Sequence, residues 1–243
     1  VIADSLDLRA VVGVGLGVNH IDISVVTLAA AAGSGGIYLS EADGLIVGSV
    51  ADVQILRVKT DGSDELVPNP GNPALPGLTS LTGNGNIVLR TLNGSLIVNE
   101  AIAADGLGNI LLWAQTATAT NDKDLTLNAK VSSVMGNISL IADRNLLQTE
   151  NSVVETGGAG TIDVQAQTGS ITMQDNGAAS GAAIAIDGNI RYQAAWDIKL
   201  GSINSTTGSI NAPCTTNRAA AIWLTGTKAE ASLAETSSKG ART

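Results

Sequence analysis

The chain has 243 residues, of which 44% are hydrophobic, 2% aromatic and 14% charged, with 28 glycines and no phenylalanine. The low charge and the many turn-forming residues are typical of an all-β protein and exclude a helical bundle or a coiled coil, while the apolar content excludes full disorder. The net charge of −9 argues against a nucleic-acid partner, since phosphate backbones require a basic surface.

The chain carries few signals of compartment. Its one cysteine, Cys214, forms no disulfide within the chain and is expected to be a free thiol or bonded to another chain. No apolar run approaches the roughly 18 residues of a membrane span. The sequence begins Val-Ile-Ala-Asp without an initiator methionine or a signal peptide, so we interpret it as a processed or excised piece of something longer.

The predicted strands begin almost at once. Alternating apolar residues at 5–11 predict a strand with no amphipathic cap ahead of it, and 37–39 and 45–47 predict two more. Residues 66–78 hold four of the five prolines, which cannot join a strand ladder, so this segment is predicted to be a surface loop inserted between coils.

A repeated unit, Gly-(Asn/Ser/Thr)-Ile-x-(Leu/Val), then dominates the chain. Full copies begin at Gly85, Gly108, Gly136, Gly160 and Gly188, with a degenerate copy at Gly35 and a truncated one at Gly208. The core and corner residues of the full copies are Asn86, Ile87, Leu89, Asn109, Ile110, Leu112, Asn137, Ile138, Leu140, Ile162, Val164, Asn189 and Ile190. From Gly85 the spacings are 23, 28, 24, 28 and 20 residues, which indicates stacked supersecondary units.

Each unit contains two further apolar segments. The second follows the motif isoleucine after 8 or 9 residues, except in the unit of Ile110, where 116–122 resembles an inserted loop. The third is weaker and is assigned to Ile102, Val131, Val153, and Ile184 with Ile186. Three short strands per 20–28 residues, separated by Gly, Asn and Asp corners, predict one triangular coil of a parallel β-solenoid.

The solenoid interpretation explains the composition. Alternation turns the motif Ile and Leu inward and the residue between them outward. An interior only a few side chains wide uses Ile, Val, Leu and Ala, and we expect it to be too narrow for large rings. Corners need the tight bends or positive φ that Gly and Asn tolerate. The motif asparagines are predicted to stack as a ladder, and about nine coils would span roughly 40 Å.

The residues after the repeats are different in character. The solenoid is expected to cover 1–211, and 212–243 to form a non-repeat strand and tail. Residues 219–224 are a candidate last strand, and the polar remainder is a candidate for contact with another subunit.

The segment Thr27-Leu28-Ala29-Ala30-Ala31-Ala32-Gly33-Ser34-Gly35-Gly36-Ile37-Tyr38-Leu39-Ser40-Glu41-Ala42-Asp43-Gly44-Leu45 resembles repeats in giant bacterial surface exoproteins. The G-N-I-x-L and G-S-I-x-(V/M) units resemble adhesins of the filamentous-haemagglutinin type. The resemblance covers about residues 5–211. It implies a right-handed parallel β-helix and an extracellular or cell-surface bacterial protein that acts as an adhesin, stalk or matrix filament.

Catalytic candidates are few. His20 is the only histidine, which excludes a histidine-rich metal site and favours a structural role near Asp22. The outward middle position of successive motifs runs Val88, Leu111, Ser139, Asp163 and Arg191. We interpret the last two as a cross-coil ion pair on the surface rather than as part of a site.

Calcium and sugars remain as ligand alternatives. The corner carboxylates Asp43, Asp61, Asp105, Asp175 and Asp187 have the chemistry to bind Ca²⁺ singly, but turn stabilisation is the favoured role. Trp113, Trp196 and Trp223 are candidates for stacking on sugars, although core or interface packing is favoured. We therefore expect no cofactor.

The missing cap decides between the functional interpretations. An uncovered end coil is an open sheet edge that another chain can join, and head-to-tail stacking gives a filament. The sequence therefore predicts a non-enzymatic structural protein, a protomer or segment of an extracellular β-solenoid fibre. Its expected partners are other copies of itself and a host or matrix surface. The alternatives are a carbohydrate-processing β-helix enzyme or tailspike, and a sugar- or calcium-binding surface module.

Overall fold

The computed structural model describes residues 1–52, 54–67, 74–116, 123–176 and 181–214, and the backbone of 222–224. Within these residues every regular element is a β-strand, and there is no helix. The strands form one 23-stranded sheet system of parallel pairs and two separate antiparallel pairs. The prediction of an all-β parallel β-solenoid is confirmed.

The strands are short and follow one another in three-strand coils. The N-terminal strands are β1 (Ile2–Arg9), β2 (Gly13–Val14), β3 (Ile21–Ala32), β4 (Gly36–Glu41), β5 (Leu45–Val47), β6 (Ser49–Val50), β7 (Ile55–Val58), β8 (Asp64–Val67), β9 (Leu75–Pro76) and β10 (Leu78–Ser80). The central strands are β11 (Ile87–Thr91), β12 (Leu96–Val98), β13 (Ile102–Ala104), β14 (Ile110–Ala114), β15 (Leu125–Leu127), β16 (Val131–Ser133), β17 (Ile138–Ala142), β18 (Leu146–Gln148) and β19 (Val153–Thr156). The C-terminal strands are β20 (Ile162–Ala166), β21 (Ile171–Met173), β22 (Ala182–Ala185), β23 (Ile190–Ala194), β24 (Ile198–Leu200), β25 (Ser202–Ser205), β26 (Ile210–Asn211) and β27 (Ile222–Leu224).

Equivalent strands of successive coils stack into three faces. Face 1 contains β4, β11, β14, β17, β20, β23 and β26 in that order. Face 2 contains β5, β12, β15, β18, β21, β24 and β27. Face 3 contains β10, β13, β16, β19, β22 and β25. The long strand β3 pairs with strands of all three faces and is preceded by β1, which pairs with its second half.

The motif residues form buried columns, as predicted. The isoleucine column runs through Ile37, Ile87, Ile110, Ile138, Ile162 and Ile190, and each of these residues is almost completely buried. The neighbouring column runs through Leu39, Leu89, Leu112, Leu140, Val164 and Tyr192 and is equally buried. Full burial of one such aliphatic side chain contributes about 1.5–3 kcal/mol, so stacking of these columns is the main source of stability.

The third strands differ from the predicted assignment in two coils. Val154, not Val153, is buried and pairs with Val131. In β22 the inward residues are Ala183 and Ala185, whereas Ile184 and Ile186 face outward. Where adjacent residues are all apolar, alternation alone does not determine which parity faces inward.

The expectation that the interior excludes large rings is wrong at one position. Tyr192 has no exposed surface and is the largest fully buried side chain of the described residues. Its hydroxyl donates to Oε1 of Gln148 at 3.1 Å, and Gln148 Nε2 donates to the carbonyl oxygen of Ala182 at 2.6 Å. The alanines of the neighbouring third strand leave volume that a ring can fill.

The chain leaves the coil earlier than the predicted loop at 66–78. After Val47 it forms β6, which pairs with β9 in antiparallel, and between them lies the hairpin of β7 and β8. Leu66 therefore lies on the hairpin and Leu78 in the buried core, while Pro68, Pro70 and Pro73 lie outside the described residues. Pro76 is tolerated in β9 because this strand belongs to a two-stranded edge ribbon.

The predicted C-terminal strand is observed in part. β27 occupies the last half of 219–224 and pairs with β24 on face 2. The predicted polar tail after residue 224 and the loop at 117–122 lie outside the described residues. No helix that could cross a membrane is found in the described part of the chain.

Candidate functional site

The corner before each face-1 strand is built on the motif glycine. A Cβ on Gly108 would collide with the carbonyl oxygen of Gly85, and a Cβ on Gly136 would collide with that of Gly108. None of the motif glycines from Gly85 onward has a positive φ. The repeat therefore requires glycine here because adjacent coils approach closely, and not for the left-handed backbone that the sequence suggested.

The asparagine that follows this glycine forms a ladder, but its links run mainly from side-chain oxygen to backbone N–H, and only Asn137 and Asn109 show the predicted contact between side-chain amides. Asn86 Oδ1 accepts the backbone N–H of Asn109 at 2.8 Å, and Asn109 Oδ1 accepts that of Asn137 at 2.8 Å. Asn137 Oδ1 accepts both the N–H and the hydroxyl of Thr161, at 3.0 and 2.9 Å. Further along, Asn189 Oδ1 accepts the N–H of Ser209 at 2.7 Å. We call this set of side chains the asparagine ladder.

A second ladder, which was not predicted from the sequence, lies at the corner before face 2. Its members are Ser95, Asp124, Asn145, Ser170 and Asp197. Each of the first four accepts the backbone N–H of the next member through a side-chain oxygen, at 3.0–3.2 Å. The signal for it in the sequence is a small polar residue directly before the first buried apolar residue of the second strand in five coils. We call this set the mixed ladder.

Both ladders have the same polarity. The side-chain acceptor of one coil binds the N–H donor of the coil that follows it in the chain. At the same corner as the asparagine ladder, before face 1, the hydroxyl of Ser133 donates to the carbonyl oxygen of Gly108 and accepts the N–H of Gly136, which also joins two coils. The arrangement helps to specify how one coil is laid on the next, and it recurs at most of the coil junctions.

Face 1 presents two outward columns. Column 1 contains Tyr38, Val88, Leu111, Ser139, Asp163 and Arg191. Column 2 contains Ser40, Arg90, Trp113, Ile141, Gln165 and Gln193. Both outward residues of β14 are therefore apolar, β11 and β17 carry one apolar and one polar residue each, and those of β20 and β23 are polar.

Two polar contacts fix side chains on face 1. Arg191 binds Asp163 through Nε at 2.8 Å and Nη2 at 2.7 Å, which confirms the predicted cross-coil pair. The Asp163 carboxylate stabilises the guanidinium charge and raises the pKa of Arg191. Trp113 donates its indole N–H to Asp143 at 3.1 Å, so that its half-buried ring is held on the outer surface. It does not lie in the core.

The remaining single candidates are scattered. His20 lies beside the ring of Tyr38 and its Nδ1 is 3.2 Å from the hydroxyl oxygen of Ser40, a local packing contact. Trp196 is exposed at a corner, and the side chain of Trp223 lies outside the described residues. Cys214 is a half-buried free thiol, and its burial together with the charge of Asp197 raises its pKa.

Several corner aspartates bind the backbone or side chains of turns. Asp61 accepts the N–H and hydroxyl of Ser63, Asp105 accepts the N–H of Gly83, and Asp187 accepts the hydroxyl of Thr207. In the described part of the chain no group of three or more His, Cys, Asp or Glu side chains is arranged to hold a metal ion.

One carboxylate is completely buried. Glu41 ends β4 in the column that continues with Thr91 and Ala114. Its Oε2 accepts the N–H of Val25 at 3.0 Å and its Oε1 accepts that of Asp43 at 3.2 Å. Burial raises the pKa of Glu41, and these N–H donors only partly offset that effect.

The N-terminal coil exposes several aliphatic side chains. Ile2, Val11 and Val18 are 89%, 95% and 97% exposed. β1 pairs with β3 along one edge, and no described strand lies along its other edge. The end of the stack therefore combines free backbone hydrogen-bonding groups with exposed aliphatic side chains.

Comparison of the chain with models of protein families, with curated proteins and with solved structures gave no match.

Proposed function

We propose that the chain is a structural segment of an extracellular bacterial β-solenoid fibre, stalk or adhesin that extends by stacking of coils. The observation that carries the proposal is the pair of side-chain ladders with a common polarity. Side-chain hydrogen bonds that recur from coil to coil favour elongation of the stack. The side chains that form them are already engaged in holding the coils together.

The N-terminal coil supports this role. Its open strand edge and its exposed Ile2, Val11 and Val18 have the chemistry of an unstacked coil, because an interior coil covers the same surfaces with its neighbours. We propose that a further coil lies here, supplied by the C-terminal end of another copy in a head-to-tail contact. A contact between two different surfaces that does not close on itself produces a filament.

Micrographs and sedimentation of the full chain at increasing concentration test the proposal. We expect rods longer than one molecule and a sedimenting fraction that grows with concentration. The substitution I2K places a charge on the stacking edge and is expected to reduce the sedimenting fraction several-fold, since an ammonium group is costly to desolvate.

The matched control is V134K. Val134 is 55% exposed directly after β16, which lies in the middle of the stack between β13 and β19, so this variant should assemble like the unmodified chain. A species that remains monomeric at every concentration, without rods in micrographs, contradicts the proposal. Equal loss of assembly in both variants contradicts the assigned surface.

A further inference from the structure

Face 1 carries an apolar patch that the stacking of coils does not use. Leu111, Trp113 and Ile141 lie side by side on β14 and β17, and Val88 extends the patch by one coil. All four are partly exposed on the side of the sheet that points away from the core.

Charged residues flank this patch on both sides along the stack. Arg90 lies one coil before Trp113, and its Nε donates to the hydroxyl oxygen of Ser40 at 2.9 Å. Among the described residues no carboxylate forms an ion pair with Arg90. Asp163 lies one coil after Ser139 and Ile141, with Arg191 beyond it. The order along the stack is therefore cation, apolar patch, anion.

This order is self-complementary under one symmetry. A two-fold axis parallel to the strands, between β14 and β17, lays each column on itself in reverse order. Trp113 then meets Ile141 of the second copy. Arg90 meets Gln165 of the second copy and lies diagonally across from its Asp163, which Arg191 of that copy also binds. Each contact occurs twice, as in any isologous interface.

The other face-to-face symmetry is less favourable. An axis along the stack lays column 1 on column 2 with the coils in the same order. Arg90 then meets Val88 of the second copy and lies diagonally across from the second Arg90. The two Asp163 side chains are placed in the same way, so like charges are brought together. Charge complementarity thus selects the antiparallel arrangement.

We propose that face 1 is a lateral interface through which two copies of this chain pack side by side in antiparallel orientation. The four coils of β11, β14, β17 and β20, with five-residue strands, give a footprint of roughly 19 Å by 16 Å. A contact of this size is smaller than that of a stable dimer, so we expect weak association with a dissociation constant in the high micromolar range or above. The interface is separate from the stacking edge and does not depend on the proposed function.

Sedimentation equilibrium of the full chain tests the contact. I141K places a charge beside the two-fold axis and is expected to weaken the dimer by about tenfold or more. Its matched control is I97K, since Ile97 is the outward, partly exposed residue of β12 on face 2. Circular dichroism must show that both variants fold. I2K should leave this dimer intact, which separates side-by-side pairing from stacking.

A charge reversal tests the orientation. R90E is expected to weaken the dimer several-fold, because the introduced carboxylate would lie diagonally across from Asp163 of the second copy. The triple substitution R90E/D163R/R191E restores the cross-copy pair and the pair within each chain, so it should recover most of the affinity. In a C214S background, a short thiol-to-thiol cross-linker should join a chain carrying L111C to a chain carrying S139C. It should not join a chain carrying S139C to one carrying I141C.

Several outcomes overturn the inference. They are a monomer at millimolar concentration, a dimer that I141K and I97K affect equally, or a triple variant no better than R90E. Preferential cross-linking of S139C to I141C would indicate parallel packing and would also overturn it. Binding of a polysaccharide to face 1 without any dimer would assign the patch to a sugar instead.

Discussion

At the scale of single residues, the stability of the fold depends on pH through Glu41. Because burial raises its pKa above the ordinary 4.5, the folded protein holds this proton more tightly than the unfolded chain does. The contribution of Glu41 to stability is therefore greatest in acid and declines as pH rises from about 4.5 through the raised pKa. We expect E41Q to become more stable relative to the unmodified chain between pH 4 and pH 7, measured by urea unfolding at both values.

Asp124 supplies a control with the opposite sign. Burial acts to raise the pKa of Asp124, but hydrogen bonds from Arg144 and Asn145 outweigh it and lower the pKa below 3.8. Its stabilising contribution is present above that value and is lost as pH falls. D124N should therefore cost most at neutral pH. If E41Q showed the same pH trend as D124N, burial of the Glu41 charge would not be the cause.

Residue identities could be predicted only where the pattern constrains them. The isoleucines and leucines of the motif were correctly predicted to face inward. In most copies the residue between them is polar, and this indicates which side of the strand faces outward. Tyr192 was not predicted to be buried, because the room for its ring comes from alanines on another strand and its hydroxyl partner Gln148 is two coils away. Such a pair is invisible until the coils are stacked.

At the scale of elements, the mixed ladder makes a measurable contribution to each coil junction. N145A removes the acceptor for the partly buried N–H of Ser170, and we expect a loss of about 1 kcal/mol in the free energy of unfolding. Hydrogen exchange at the Ser170 amide should become faster. N145S should cost less, since Ser95 and Ser170 perform the same role through a hydroxyl. Equal losses in N145A and N145S would show that this acceptor is not what stabilises the junction.

Element boundaries follow the same division between repeated and unique sequence. The strands of each coil were predicted because five copies of one pattern reinforce one another. The hairpin of β7 and β8 has no second copy, and its eight residues are almost all exposed, so no buried face gives it a period. Asp61-Gly62 at its turn was the one local signal of a hairpin.

At the scale of the whole molecule, the structure behaves as a sum of coils and junctions. Apart from the Tyr192–Gln148 hydrogen bond, which spans two coils, the strand pairs join each coil to its neighbours, so removal of one coil need not disturb the others, provided the register is kept. Residues 108–135 are one complete coil, and Gly108 and Gly136 occupy equivalent corners. Deletion of residues 108–135 joins Leu107 to Gly136 and lets the asparagine ladder continue from Asn86 to Asn137.

We therefore expect the chain without 108–135 to fold into a shorter solenoid with an unchanged β-sheet circular dichroism spectrum per residue. Its melting temperature should fall only modestly, because one junction is lost among several. Deletion of 108–121 removes half a coil and places the second strand β15 where β14 would be. Residues that belong at a corner would then lie at positions that face the core. That variant should lose cooperative unfolding, and similar melting of the two deletions would mean that coil register does not determine this fold.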